Sequence, residues 1–222
     1  MKNLTLIIPA KNEGDSLPIF LHELKNYNCK IIIVLSENDS DTINSIIKSD
    51  NIQIVFQKKN GYGNALIEGI NTSNTEYSCI INADGSMNPN ELNKMLINCL
   101  DKDLVFASRY ERLGGGSEDD TIITFIGNKI FSFLGNLLFS LNISDILYTY
   151  VLGKTESFKK LKLKNKDFRL CVELPIKAKR MNLKYICLPS YERLRLAGKK
   201  KVNAIKDGFL ILIEILCLLI KK

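Results

Sequence analysis

A chain of 222 residues that is 45% hydrophobic and 25% charged has the makings of one globular domain, or at most two small ones, and is not a disordered chain. Thirty-one Lys and Arg against 24 Asp and Glu give a formal charge of +7, which favours an anionic partner without choosing among phosphate, nucleotide, nucleic acid and acidic membrane. A single histidine, His22, argues against Ser-His-Asp or Cys-His catalysis and against multi-histidine metal sites, leaving carboxylates, cations and oxygen-bound metals to carry any chemistry.

The first element is Leu4–Pro9 (LTLIIP), a β-branched apolar run that reads as a strand buried on both faces. Its short apolar length and lack of a cleavage site set it apart from a secretory signal, so the expected location is inside the cell. Similar runs follow at Lys30–Leu35, Ile52–Phe56, 77–81 and 104–107, with helical spacing between them at 16–26, 42–48, 63–71 and 89–100. Strand alternating with helix predicts an α/β domain whose mostly parallel central sheet is flanked by helices.

Beyond 110 the pattern changes. Gly114-Gly115-Gly116-Ser117 and Glu118-Asp119-Asp120 read as a mobile, solvated loop, either a lid or a linker. Residues 122–141 predict a long helix with a narrow polar stripe that includes Asn128, Lys129, Ser132 and Asn136. Another helix is expected at 168–181 and another strand at 183–188. Residues 209–220 (FLILIEILCLLI) form an apolar C-terminal helix with lysines on both sides: Lys199, Lys200, Lys201 and Lys206 before it, Lys221 and Lys222 after it. At about 1.5 Å per residue it reaches roughly 18 Å, too short for a hydrocarbon core of about 30 Å. An interfacial helix on an anionic membrane is the preferred reading, and docking into the protein's own core or into an oligomer interface is the other. The six cysteines are scattered in apolar stretches without a C-x-x-C pair, which excludes a zinc ribbon and suggests buried reduced thiols.

Ligands of such a sheet bind outside the carboxyl ends of its strands. Polar residues gather there: Glu13, Glu37, Asp39, Lys58, Asp84 and Arg109. In Asn82-Ala83-Asp84-Gly85, Asp84 is either an oxygen ligand for a divalent cation or an ordinary turn residue. Gly61-Tyr62-Gly63-Asn64-Ala65 lacks the last glycine of a dinucleotide motif; its small residues would let a helix N-terminus approach a ligand, with Lys58 or Lys59 near a phosphate. No nucleic-acid-binding signature accompanies the cations, so no nucleic-acid partner is expected.

In order along the chain, IIPAKNEGDSLP, SENDSDT, GYGNALIEGI, NADGSMNP, ASRY, SDILYTY, a helical Glu173 and RLAGKKK resemble the motifs of the family 2 glycosyltransferases, specifically the polyprenyl-phosphate branch that includes dolichol-phosphate mannose synthase. The resemblance covers nearly the whole chain. It implies a GT-A, Rossmann-like fold over 1–198, with a nucleotide-binding half (1–110) and an acceptor half (111–198), followed by a membrane-associating tail (199–222). It also implies an Mg2+- or Mn2+-dependent, inverting transfer of a sugar from a nucleotide diphosphate sugar to a polyprenyl phosphate or other lipid-linked acceptor at the inner membrane face.

By the same resemblance Pro9, Ala10, Glu13, Glu37, Asp39, Lys58, Gly63, Asn82 and Ala83 would surround the nucleotide sugar, and Asp84 would carry the metal. Arg109 would lie near donor or acceptor phosphate. Asn128, Lys129, Glu173, Arg193, Arg195 and Lys201 would meet the acceptor or a phosphate, and Asp145 would be the base if the acceptor were a hydroxyl. Two departures stand out: Asn82 replaces the first aspartate of D-x-D, and Lys200 replaces a serine. Other readings are transfer to a saccharide hydroxyl and a non-catalytic binder of nucleotide or lipid phosphate. A sugar nucleotidylyltransferase would carry a glycine-rich loop after the first strand that PAKNEGDSLP lacks.

Overall fold

The computed structural model describes residues 1–220. Chain order begins β1 (Leu4–Pro9), α1 (Leu17–Leu24), β2 (Lys30–Leu35), α2 (Ser40–Ser45), β3 (Ile52–Phe56), α3 (Tyr62–Thr72) and β4 (Tyr77–Ile80). A 3-10 turn at Pro89–Glu91 leads into α4 (Leu92–Asn98), β5 (Leu104–Ser108), β6 (Gly116–Ser117) and α5 (Ile122–Phe139). The last part adds β7 (Val151–Lys154), α6 (Thr155–Lys160), α7 (Leu170–Arg180), β8 (Tyr185–Pro189), β9 (Tyr191–Glu192) and α8 (Ala204–Ile220).

Seven strands form one sheet in the order β3-β2-β1-β4-β7-β5-β8. Every pairing in it is parallel except those of β7, which runs antiparallel between β4 and β5. Alternate side chains of β1 serve opposite layers: Leu4, Leu6 and Ile8 pack with α1 and α4, whereas Ile7 packs with α3 and the helices after β7. That two-sided burial is why β1 reads as an unbroken apolar run. Because β1 pairs with β2 on one side and β4 on the other, the sheet order reverses there, and the loops after β1 and β4 bound a crevice.

Two expectations change. β7 has no alternating pattern in sequence, and its Gly153 is required by contact: a Cβ there would lie 2.4 Å from Leu104 Cδ2 and 2.7 Å from the Asp103 carbonyl. The loop expected to be mobile is tied down, because Gly116 and Ser117 pair with Tyr191 and Glu192 in a second, two-stranded sheet.

The C-terminal helix starts at Ala204 and packs on α5 and α7, burying Ile211, Ile215 and Leu218 in the core they share. Its acid, Glu214, turns inward to accept from Asn165 Nδ2 at 2.9 Å. Docking on the protein therefore accounts for one face of this helix. Phe209, Leu212, Ile213, Leu216 and Leu219 remain exposed on the other. Lys221 and Lys222 lie outside the described residues.

α5 is inverted relative to an ordinary surface helix. A reciprocal Thr121–Thr124 capping box starts it, and the residues it buries are Asn128, Ser132 and Gly135. Its polar stripe binds the loop before β7: Asn136 exchanges two hydrogen bonds of 2.9 Å with the Ile143 backbone, and Ser132 Oγ accepts from Ile146 N–H at 3.0 Å. The apolar side faces outward, with Ile123 72%, Phe133 63% and Leu137 64% exposed.

Candidate functional site

Asp84 stands in a turn just past β4. Its Oδ1 accepts from Ser86 N–H at 3.1 Å and Ser86 Oγ at 2.9 Å, which fixes the carboxylate and leaves Oδ2 directed at Arg195 Nη1, 3.6 Å away. Gly85 follows with φ +73°, a left-handed conformation that favours glycine, and a Cβ there would also displace the Leu196 side chain, whose Cδ1 would lie 2.4 Å away. The chain after β9 is laced to this turn by its backbone: Arg193 N–H donates to Ser86 O and Leu196 N–H to Asp84 O. That lacing carries Arg195 to Asp84.

The loop after β1 supplies the facing wall. Pro9 pairs with Val34 in the sheet, and Ala10 N–H donates to the Val34 carbonyl at 2.9 Å. Glu13 is buried: its Oε2 accepts from Ser16 Oγ at 2.6 Å, and its Oε1 receives Lys201 Nζ at 2.7 Å. Asp39 joins this loop to α2, accepting from Asn12 N–H at 2.7 Å while capping the helix at Thr42 N–H. Glu37 is exposed beside it, and Ala83 is a small buried residue before Asp84. The structure thus brings Glu13, Asp39, Asp84, Arg195 and Lys201 to one edge of the sheet.

Other predicted residues are built into the scaffold. Arg109 donates from its backbone N–H, Nε and Nη2 to both oxygens of Asp145 at 2.8–3.0 Å and from Nη1 to Glu192 at 3.1 Å. Its guanidinium lies 4.6 Å from the Tyr148 ring centre. Burial works against that charge, but the Asp145 and Glu192 carboxylates hold the guanidinium protonated, well above its ordinary value. Asp145 also accepts from Asn128 Nδ2 and has no exposed side-chain surface. With its lone pairs engaged by donors, Asp145 is not placed to act as a base, and neither Arg109 nor Asn128 is placed to hold a phosphate.

Glu173 is likewise committed, accepting from Lys164 N–H and Asn165 N–H and pairing with Lys177 at 2.7 Å. The loop it holds covers the start of α3. Lys166 O accepts from Asn64 N–H, and a Cβ on Gly63 would lie 2.3 Å from Asn165 O. Gly63 therefore admits the protein's own backbone in place of a ligand. Arg193 grips the Gly85 carbonyl and Glu23, on the α1 side of the turn. Lys58 and Lys129 are exposed, Lys129 with its ammonium 4.5 Å from the Tyr110 ring centre.

Sequence reading missed Asp119, whose carboxylate takes Arg195 Nε at 3.2 Å and Nη2 at 2.7 Å and lies 3.4 Å from Lys200. It also missed Glu192, which together with Ser117 locks Arg109. Their positions in a glycine-rich loop and a two-residue strand gave no local signal.

Among the described residues no three His, Cys, Asp or Glu side chains gather as a preformed metal site. Asn82 Oδ1 is already engaged, accepting from Tyr62 Oη at 3.1 Å. Asp84 Oδ2 can still serve a cation that arrives with its own oxygen ligands, the mode in which Mg2+ is held by one or two carboxylates plus phosphates. The residues fit a divalent cation in that mode.

The family model described as Glycosyl transferase family 2 matches residues 5–162. Uncharacterized glycosyltransferases of Mycobacterium tuberculosis and Mycobacterium bovis are 32% identical over 109 residues, covering 48% of this chain and 48% of theirs. The match spans about half the length of those curated relatives. Glucosyl-3-phosphoglycerate synthase from Mycobacterium tuberculosis, solved with Mn2+, uridine diphosphate and phosphoglyceric acid, superposes with a TM-score of 0.71 at 15% identity over 98% of this chain and 78% of that one. A mycobacterial protein superposes with a TM-score of 0.67 at 13% identity, over 98% of this chain and 74% of its own. At such identities the likeness establishes a shared fold, the mostly parallel α/β arrangement.

Proposed function

The chain belongs to glycosyl transferase family 2, and from that premise we propose that it transfers a sugar from a nucleotide diphosphate sugar to a phosphate-bearing lipid acceptor, most specifically a polyprenyl phosphate, at an anionic membrane surface. The observation that carries the reading is the meeting of Asp84, Arg195, Glu13 and Lys201 at the carboxyl edge of β1 and β4. Glu13 and Asp39 order the wall that would receive the nucleoside, with Glu37 exposed beside them for the base. Arg195 and Lys201 would bind the diphosphate, and Asp84 Oδ2 would hold Mg2+ or Mn2+. A bound divalent cation would supply neutralisation of the charge developing on the departing diphosphate.

Engagement of Asp145 by Arg109 and Asn128 favours a phosphate acceptor over a saccharide hydroxyl. A phosphate is already ionised at neutral pH and needs no base, whereas a hydroxyl does. Structural neighbours solved with a nucleotide carry uridine diphosphate, several of them with Mn2+ or Mg2+ and some with phosphoglyceric acid, which makes a uridine nucleotide the first donor to try.

The lipid part of the reading rests on α5 and α8. Together they present Ile123, Ile126, Ile130, Phe133, Leu137, Phe209, Leu216 and Leu219 to solvent, an apolar area of the kind that marks an interaction surface. Exposed Lys129 and Lys206 lie on the same two helices, and exposed Lys199 precedes α8 in the chain. Eighteen residues give α5 a length of about 27 Å, and among the described residues it is the one helix long and apolar enough, by length and composition alone, to cross a membrane. Its inward polar stripe is hydrogen-bonded to the loop before β7, so it would lie along the membrane surface.

Titrating the protein with a panel of nucleotide sugars in the presence of Mn2+ or Mg2+ tests the donor part. Saturable, divalent-dependent binding of one class that is lost in Asp84→Ala is expected. Failure of every donor to bind would contradict the reading.

A further inference from the structure

The cations proposed for the diphosphate already have an anion. Arg195 lies between two carboxylates, bidentate on Asp119 at 2.7 and 3.2 Å and 3.6 Å from Asp84; Lys200 lies 3.4 Å from Asp119 and donates to its backbone carbonyl. Arg195 and Asp119 expose only 18% and 14% of their side chains, so solvent screens the pair weakly. Asp119 is also held independently of these cations. Its neighbour Glu118 accepts from Tyr191 Oη and Leu194 N–H, Asp120 accepts from Tyr110 Oη and Thr121 N–H, and Ser117 Oγ accepts from Asp119 N–H. Losing the Asp119 charge therefore leaves the loop anchored on both sides.

We infer that Asp119 is an internal competitor for the anionic ligand, a carboxylate that occupies Arg195 and Lys200 until a diphosphate displaces it. The inference rests on the proposed donor site using the same cations. Its consequence is opposite to that of an ordinary structural ion pair. Asp119→Asn keeps the shape of the side chain and removes a negative charge beside the incoming one, so it tightens anion binding, whereas loss of a merely structural contact weakens it. Asp119→Glu retains the competing charge.

The experiment is equilibrium titration with two probes, uridine diphosphate and inorganic pyrophosphate, of the full chain and of Asp119→Asn, Asp119→Glu and Asp101→Asn. The last removes one charge at the opposite end of β5. Both probes are expected to bind Asp119→Asn about ten-fold more tightly than the native chain, while Asp119→Glu and Asp101→Asn bind like the native chain. Pyrophosphate tightening without any uridine diphosphate binding would support the competitor and contradict the nucleotide site. Unchanged or weakened pyrophosphate binding in Asp119→Asn, an equal gain in Asp101→Asn, or no anion binding by any form would overturn the inference.

Discussion

Asp145 and Asp84 are both acids at the edge of the sheet, yet their surroundings give them opposite work. Asp84 keeps one oxygen toward the cleft and the other in its own turn, while Asp145 spends its oxygens on Arg109 and Asn128 in a closed site. Asp145→Ala would leave a buried guanidinium short of its principal partner. It should lower stability by about 3–5 kcal/mol in urea unfolding without removing a basic limb from the pH profile of any remaining turnover. A lost limb with unaltered stability would instead mark Asp145 as a base. The residues legible in sequence, Glu13, Asp84 and the basic run around Arg195, announce themselves through motifs next to strand ends. The pairing of Arg109 with Asp145 and Glu192 does not, because which charges meet across 36 and 83 positions depends on the tertiary fold.

Elements show the same division. Unbroken apolar runs located β1 and β2 to the residue, since strands covered on both faces need little besides β-branched and aliphatic side chains, and the β-branched residues of β3 located that half-exposed edge strand equally well. β7 and the β6–β9 pair escaped because a four-residue strand and two-residue strands are too short to show a period. For α5, periodicity predicts the helix but not which side faces in; the inward side is the polar one. If its outward face meets lipid as proposed, Ile130→Glu with Phe133→Glu should abolish binding to anionic vesicles while leaving the thermal midpoint essentially unchanged. Undiminished vesicle binding would count against the platform. These substitutions discriminate better than removal of α8, which would also strip Ile211, Ile215 and Leu218 from the core.

The start of α5 has its own pH signature. Burial raises the Asp120 pKa, but hydrogen bonds from Thr124 and Tyr110 outweigh it and hold the carboxyl below its ordinary value. The native state thus binds this proton less readily than the unfolded chain. Its contribution is complete above the unfolded value of about 4 and is lost as pH falls through the lowered native one. Asp120→Asn should flatten the acid limb of stability plotted against pH in urea unfolding, and an identical limb in the variant would refute the assignment.

Across the whole molecule, two groups of basic residues have different prospective partners. One is the cluster of Arg195, Lys200 and Lys201, neutralised by Asp119 and Glu13 and proposed to exchange those acids for a diphosphate. The other comprises lysines beside the apolar side of α5 and α8, proposed to meet anionic lipid. The direct measurement of the proposed reaction supplies radiolabelled nucleotide sugars with Mn2+ and polyprenyl phosphate in vesicles, then follows label into the lipid fraction. One donor class should yield a sugar–phosphate lipid with the native chain, and no product should form with Asp84→Ala. Absence of lipid product from every donor, or undiminished product with Asp84→Ala, would contradict the proposed transfer.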